Sequence, residues 1–323
     1  MPYNDLNIQL SPSGGEYRAL VVRATIGEGA SSRFCIDNQL LDHYKDRISL
    51  GSTNESLLHE IGELLYTKVF IGEDDPPSGA VERAFEQNEV AADASKQLGT
   101  RILLEIQEKN LFQTPWEYLF IEKKRRWLGM NLKTPLSRYV PGNPRPVMQV
   151  TPPLKMLIVA ADPQDPDLDR IDCEGEIQRI KTALGEEGLL ENGLMEVEVV
   201  TETTPSLLAA YLESYRPHIL HFIGHGDVHG EPVLLLENNE RGSEAYSVTS
   251  LLNVLQYCPT VRFVVLNACL TSEFALALAL KGGFAAIGML APITNEAASC
   301  FAFGLYGRLA VGEPVDACVH HAR

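Results

Sequence analysis

The feature that most constrains this chain is an alternation of apolar runs and amphipathic segments after residue 154. "KMLIVAAD" (155–162), "MEVEVVTE" (195–202), "HILHFIGH" (218–225), "VRFVVLNAC" (261–269) and "AAIGML" (285–290) read as strands. Between them, "DCEGEIQRIKTAL" (172–184), "TPSLLAAYLESY" (204–215), "VTSLLNVLQ" (248–256) and "SEFALALALKGG" (272–283) read as helices, followed by "TNEAASCFAFGLYGRLAVG" (294–312) and a last helix from Pro314. Strand–helix alternation predicts the α/β class, with a mostly parallel sheet covered on both faces.

In such a sheet, ligands and catalytic groups gather at the carboxyl ends of the strands, near the point where strand order reverses. Two strands end there in reactive residues. His225 closes one between two glycines, and Cys269, 44 residues on, closes the next. A thiol attacking a carbonyl needs a base to take its proton, and that base must return the proton to the leaving amine. It also needs donors for the oxyanion, and the backbone amides of Gly226 and Cys269 are placed for that role. Gly224 and Gly226 leave room for close approach by a substrate.

Two other chemistries compete. His218, His221, His225 and His229 are spaced as ligands on one helical face, which points to a metal-dependent hydrolase. The residues around them favour a strand, in which His218 faces away from His221 and His225; no CxxC or HExxH accompanies them, so no metal or other cofactor is expected. The loop "DPQDPDLDRIDCEGE" (162–176) carries seven carboxylates but lacks the order of a calcium loop. It reads as a solvated rim or as a cradle for a cationic substrate. "FIGHG" lacks the spacing and the lysine of a phosphate-binding loop.

"VPGNPRPVMQVTPPLK" (140–155) holds five prolines and marks a boundary. The expected organisation is a first α/β domain over 1–144, a linker over 145–153 and a second domain over 154–323. In the first, "EYRALVVRA" (16–24) and "TRILLEIQ" (100–107) read as strands. "NESLLHEIGELLYTKVF" (54–70) reads as a helix capped by Asn54, and "SGAVERAFEQNEVAADASKQLG" (78–99) as a helix ending at a glycine. "TPWEYLFI" (114–121) and "WLGM" (127–130) read as a hairpin around "EKKRR", with Trp116 packed inside.

The net charge of −16 is uneven. Residues 1–150 hold 17 Lys+Arg and 20 Asp+Glu, against 10 and 23 in residues 151–323. The second half therefore repels nucleic acid and anionic membrane and favours basic ligands. No apolar run is long enough to span a bilayer, and the start has neither a basic nor an apolar leader region, so a cytoplasmic protein is expected. The six cysteines are scattered and read as free thiols.

"HILHFIGHG", "VVLNACLT", "AAIGMLAPITNEAASCFAFGLYGRLAVGEPVDAC" and, upstream, "TPWEYLF" together resemble the CHAT domain, a caspase-like cysteine peptidase module of the caspase/separase clan. The resemblance implies a three-layer caspase-like sandwich. It makes His225 the general base and acid and Cys269 the nucleophile, and the first domain a non-catalytic pseudo-caspase. It also implies a protein substrate, a regulated role in bacterial defence or cell death, and an activating partner or fused sensor or effector module. A catalytically silent scaffold is the alternative within the family. The sequence departs from the family at Asn267 and Asn295, where many members carry Asp. Asp162 is then the candidate acid for a basic P1 residue, with Asn267 and Asn295 also lining the substrate pocket. The chain stops within its last helix, which suggests a longer natural protein.

Overall fold

The structure is a computed structural model. It describes residues 3–49, 54–74, 76–142, 145, 150–228, 230–290 and 294–322. Most of the proline-rich segment, His229 and residues 291–293 lie outside the described residues, as does the side chain of Asn295. The chain divides into two compact units, one formed by residues up to Val140 together with Pro314–His321, the other by Pro141–Glu313.

The first unit runs β1 (Tyr3–Ser13), β2 (Glu16–Arg23), β3 (Ser31–Phe34), α1 (Asn38–Ser49), α2 (Glu55–Tyr66), α3 (Ala80–Ala94), β4 (Gly99–Ile106), α4 (Lys109–Phe112), β5 (Phe120–Ile121), β6 (Arg126–Trp127) and β7 (Leu136–Tyr139). Its main sheet has the order β3-β2-β1-β4-β7, antiparallel on the β2 side of β1 and parallel on the β4 side. Leu6, Ile8 and Leu10 alternate along β1 and are fully buried against Ile61, Leu65, Phe85, Ile102 and Leu104. Burial of each such side chain contributes about 1.5–3 kcal/mol.

Asn54 caps α2 as expected, its side chain accepting from Leu57 N at 2.9 Å. The helix ahead of Gly99 is shorter than expected. It ends at Ala94, and Gly99 instead opens β4, where a Cβ would sit 1.9 Å from the carbonyl oxygen of Lys133. That glycine serves a close backbone approach and not a helix cap. Of "TPWEYLFI" only Phe120–Ile121 is extended. Trp116–Tyr118 forms a single 3-10 turn that buries Trp116 completely, with its indole N–H donating to Leu111 O at 2.7 Å.

The second unit runs β8 (Leu154–Ala160), α5 (Cys173–Glu186), β9 (Met195–Val200), α6 (Pro205–Tyr215), β10 (Ile219–Ile223), β11 (His225–Val228), β12 (Pro232–Glu237), β13 (Ser243–Ser247), α7 (Val248–Leu255), β14 (Phe263–Asn267), α8 (Ser272–Gly282), β15 (Ala285–Gly288) and α9 (Asn295–Ala310). The five-stranded sheet β15-β14-β10-β8-β9 is parallel throughout. The chain lays down β8, steps outward to β9, then returns to the other side of β8 as β10. Strand order therefore reverses between β8 and β10. On one face, Leu157, Val159, Leu220, Phe222, Val264 and Leu266 share a core with side chains of α6, α7 and α8. On the other, His221 meets Glu176 of α5 and Tyr306 of α9. The unit is a three-layer α/β sandwich, the caspase-like fold class expected of it.

Two strand ends differ from the sequence reading. The strand expected over 218–225 stops at Ile223, and His225 is the first residue of β11. β11, β12 and β13 form a separate antiparallel sheet that the periodicity after residue 225 does not announce. Likewise β14 stops at Asn267, two residues before Cys269.

The last helix, α10 (Val315–Ala322), groups with the first unit, although the sequence reading counted it with the second. Polar contacts account for this. Arg101 of β4 pairs with Asp316 at 2.5 Å, and the amide of Leu136 on β7 donates to His320 Nε2 at 2.7 Å.

Candidate active site

β10 and β14 are parallel neighbours, with Ile223 opposite Asn267. Where that ladder ends, the two chains stay side by side. Gly224 N donates to Asn267 O at 3.4 Å. A Cβ at Gly224 would fall 2.5 Å from the ring of Phe222 and 3.0 Å from Ala161 O. One at Gly226 would fall 2.3 Å from Cys269 O and 2.8 Å from Thr271 Cγ2. The Gly-His-Gly segment is thus pressed directly onto the turn that carries Cys269, and both glycines are required by space.

The turn itself is held under tension. Leu270, directly after Cys269, has φ +56° and is half exposed. A bulky residue in the left-handed region persists only where its surroundings enforce it. Thr271 supplies the enforcement. Its buried hydroxyl donates to Ala268 O at 2.8 Å, with Leu266 O at 3.2 Å, and accepts from Met289 N at 3.1 Å. Cys269 is left partly exposed.

His225 is oriented by a backbone group. Its Nε2 lies 2.8 Å from the carbonyl oxygen of Asp169. A carbonyl only accepts, so Nε2 carries the proton and Nδ1 of the neutral ring holds the free lone pair. That tautomer leaves Nδ1 as the ring's acceptor nitrogen. Among the described residues no hydrogen bond joins the ring to the Cys269 thiol.

The strands that lead into these two segments carry a buried polar network. Glu176, in the first turn of α5, accepts from Asn267 Nδ2 and lies 3.3 Å from His221 Nε2, both through Oε1. His221 Nδ1 lies 2.5 Å from the hydroxyl of Tyr306. Glu176, His221 and Tyr306 are at most 2% exposed. Burial, and then the Glu176 charge, push the Tyr306 phenol well above its usual range.

The acidic loop is folded onto the site, not free. Asp162 accepts from Arg170 Nη1 at 3.2 Å and from Ile171 N at 3.3 Å, and its own amide donates to Glu237 at 3.2 Å. Asp165 accepts from Ser243 N at 2.6 Å, and Asp172 caps α5 by accepting from Gly175 N at 3.0 Å. Burial, reinforced by Asp162, Glu176, Glu237 and Asp172, pushes the Cys173 thiol up to about 12. This second cysteine thus stays protonated at neutral pH.

The histidines named as metal ligands diverge. His218 Nδ1 accepts from Lys155 N at 2.8 Å, His221 belongs to the buried network, and His225 faces Asp169. No group of three or more His, Cys, Asp or Glu among the described residues is arranged to hold a metal ion. His229 lies outside those residues, and Asn295 is described only as the first residue of α9, after its cap Thr294.

Sequence reasoning missed Asp169, Glu176 as an organiser, Thr271 and Arg170. The first acts through its backbone, which leaves no trace in residue type. Glu176 was visible only as one carboxylate among seven.

A parallel three-layer sandwich with a histidine and a cysteine beside adjacent strand ends defines the caspase-like class. The CHAT domain family model matches residues 75–323, and the chain belongs to that family. No curated protein matches the chain. No helix among the described residues is long and apolar enough to cross a membrane.

Proposed function

We propose that this chain is a cysteine endopeptidase with Cys269 as nucleophile and His225 as general base and acid. The observation that carries the reading is the contact of Gly226 with Cys269 O, which brings the two segments together at the strand ends. The Asp169 carbonyl, which leaves Nδ1 as the basic nitrogen, supports it.

In the proposed cycle the thiol proton passes to Nδ1 as sulfur bonds the scissile carbonyl carbon. The amides of Gly226 and Cys269 receive the oxyanion. The imidazolium then protonates the leaving amine as the C–N bond breaks. Water, deprotonated by the same ring, hydrolyses the thioester and frees the thiol. Asp162, Asn267 and Asn295 are proposed to line the substrate pocket. The cellular reading is a cytoplasmic, regulated bacterial defence or cell-death protease. It would act on a protein substrate and answer to an activating partner or a fused sensor or effector module.

The test uses a peptidyl electrophile and a fluorogenic peptide library. Cys269→Ala should abolish both labelling and cleavage, and His225→Ala should nearly do so. The double variant should be no worse than either single one, because members of one catalytic unit are not additive. Cleavage at the wild-type rate in Cys269→Ala would sink the mechanism. A wild type that neither labels nor cleaves any library peptide would favour the silent scaffold. Activity lost on chelation would favour a metal hydrolase.

A further inference from the structure

We propose that Glu176 is a positioning residue for the dyad: one carboxylate oxygen ties together the two strands that lead into His225 and Cys269. The inference rests on the reading of those residues as a catalytic pair and names a third residue that the pair requires.

His221 stands on β10, four residues before His225. Asn267 stands on β14, two residues before Cys269. Asn267 Nδ2 donates to Oε1 of Glu176, and His221 Nε2 lies 3.3 Å from that same oxygen. The β10–β14 ladder ends at Ile223 opposite Asn267, so the two reactive residues lie beyond its last pair. Glu176 ties the strands together where that ladder is running out.

Oε1 of Glu176 accepts from Asn267 Nδ2 and faces His221 Nε2, while His221 Nδ1 faces the Tyr306 hydroxyl, so a proton on Nε2 gives every group of the network a partner. Bonds to an ionised acceptor are stronger than neutral ones, and burial at 2% exposure removes water as a competitor. The first turn of a helix is a favourable place for the negative charge. The loop that leads into the same helix has a second hold on the site. Asp172 caps the helix, and three residues earlier Asp169 offers the carbonyl that orients His225. The first turn of α5 and the loop that leads into it thus meet both segments of the proposed pair.

A merely structural carboxylate would alter stability without altering the chemical step. A positioning one alters the orientation of His225 and the turnover of bound substrate. The test compares the full-length wild type with Glu176→Gln, Tyr306→Phe and His221→Gln, the last able to donate to Glu176 and accept from Tyr306. The readouts are thermal melts, kcat and KM on one peptide, and the ring 15N resonances of His225, assigned by their loss in His225→Gln.

The wild-type ring should be a single Nε2-protonated tautomer. In folded Glu176→Gln the tautomers should mix, and kcat should fall about 10- to 100-fold with KM within about two-fold. Tyr306→Phe should show the same pattern at about three-fold, and His221→Gln, which keeps a donor for Glu176 in altered geometry, should fall between Tyr306→Phe and Glu176→Gln in kcat. A folded Glu176→Gln with wild-type kcat and ring spectrum would overturn the proposal. If that variant does not fold, an unchanged kcat and spectrum in Tyr306→Phe overturns it, and the expected loss supports it. Failure of the wild type to cleave or alkylate would remove the peptidase reading alone, and the ring spectra would still decide the role of Glu176.

Discussion

His225 Nε2 rests 2.8 Å from the carbonyl oxygen of Asp169, a residue 56 positions earlier in the chain. A backbone acceptor does here what a carboxylate does in many histidine-dependent sites. It fixes the tautomer without adding charge. Two residues on, the amide of Ile171 donates to Asp162 at 3.3 Å and ties down the loop that carries Asp169.

Gly226 offers the sharpest test of the site's packing. A methyl group there meets the Cys269 carbonyl at 2.3 Å, an atom that cannot swing aside without moving the nucleophile. Gly226→Ala should cut kcat/KM by about 100-fold, the scale expected for a displacement near 1 Å. Its melt should shift far less than that loss suggests. A variant with wild-type kcat/KM would show that the turn is not a fixed part of the site.

Asp162 carries the prediction about specificity. It already holds Arg170 at 3.2 Å, so a basic P1 side chain must take the place of that arginine. The Arg170 side chain is 55% exposed, and such pairs are weak, so the exchange costs little. Arg170→Ala should therefore raise cleavage after Arg relative to cleavage after Leu, and Asp162→Ala should lower it. A peptide library decides this. If neither variant changes the Arg-to-Leu ratio, Asp162 acts only on the loop.

Trp116 tests the first unit. Its side chain is fully buried and its indole N–H is bonded to Leu111 O. Trp116→Ala should destabilise by about 3–5 kcal/mol, and denaturant unfolding of the full chain measures it. A midpoint within error of wild type would contradict the packing described.

His218 predicts a pH dependence. Burial, then the nearby Lys155 and Arg262, hold its folded pKa below the ordinary 6.5, and its Nδ1 must stay unprotonated to accept from Lys155 N. The sign follows directly. Stability from this group is present above the unfolded value near 6.5 and is lost as pH falls through the depressed folded value. Wild type should lose melting temperature between pH 7 and 5 more steeply than His218→Gln. Parallel profiles for the two proteins would refute the assignment.

Much of this protein was legible before any coordinates. Apolar runs of strand length alternating with helical periodicity placed the five parallel strands, the helices between them and the class of fold. Asn54 as a cap and Trp116 as core were also readable, because local chemistry decides caps and a large apolar side chain seeks burial. Leu6, Ile8 and Leu10 alternate clearly enough that β1 was there to be found. What periodicity does not carry is where a strand stops. The run 218–225 is uniformly strand-like, yet it breaks at Gly224 because its continuation pairs with β12, a partner chosen by tertiary contacts. Residue type likewise marks Cys269 and His225 as reactive but says nothing of a backbone carbonyl, so Asp169 was invisible. Glu176 was one acid among seven in its loop until the fold buried it between His221 and Asn267. The chain's own pattern marked His225 and Cys269 as the candidates and the parallel sheet whose strand ends lead to them. Only the tertiary structure decided what orients them, because hydrogen bonds to backbone atoms and between distant elements depend on approach in space and not on neighbours in sequence.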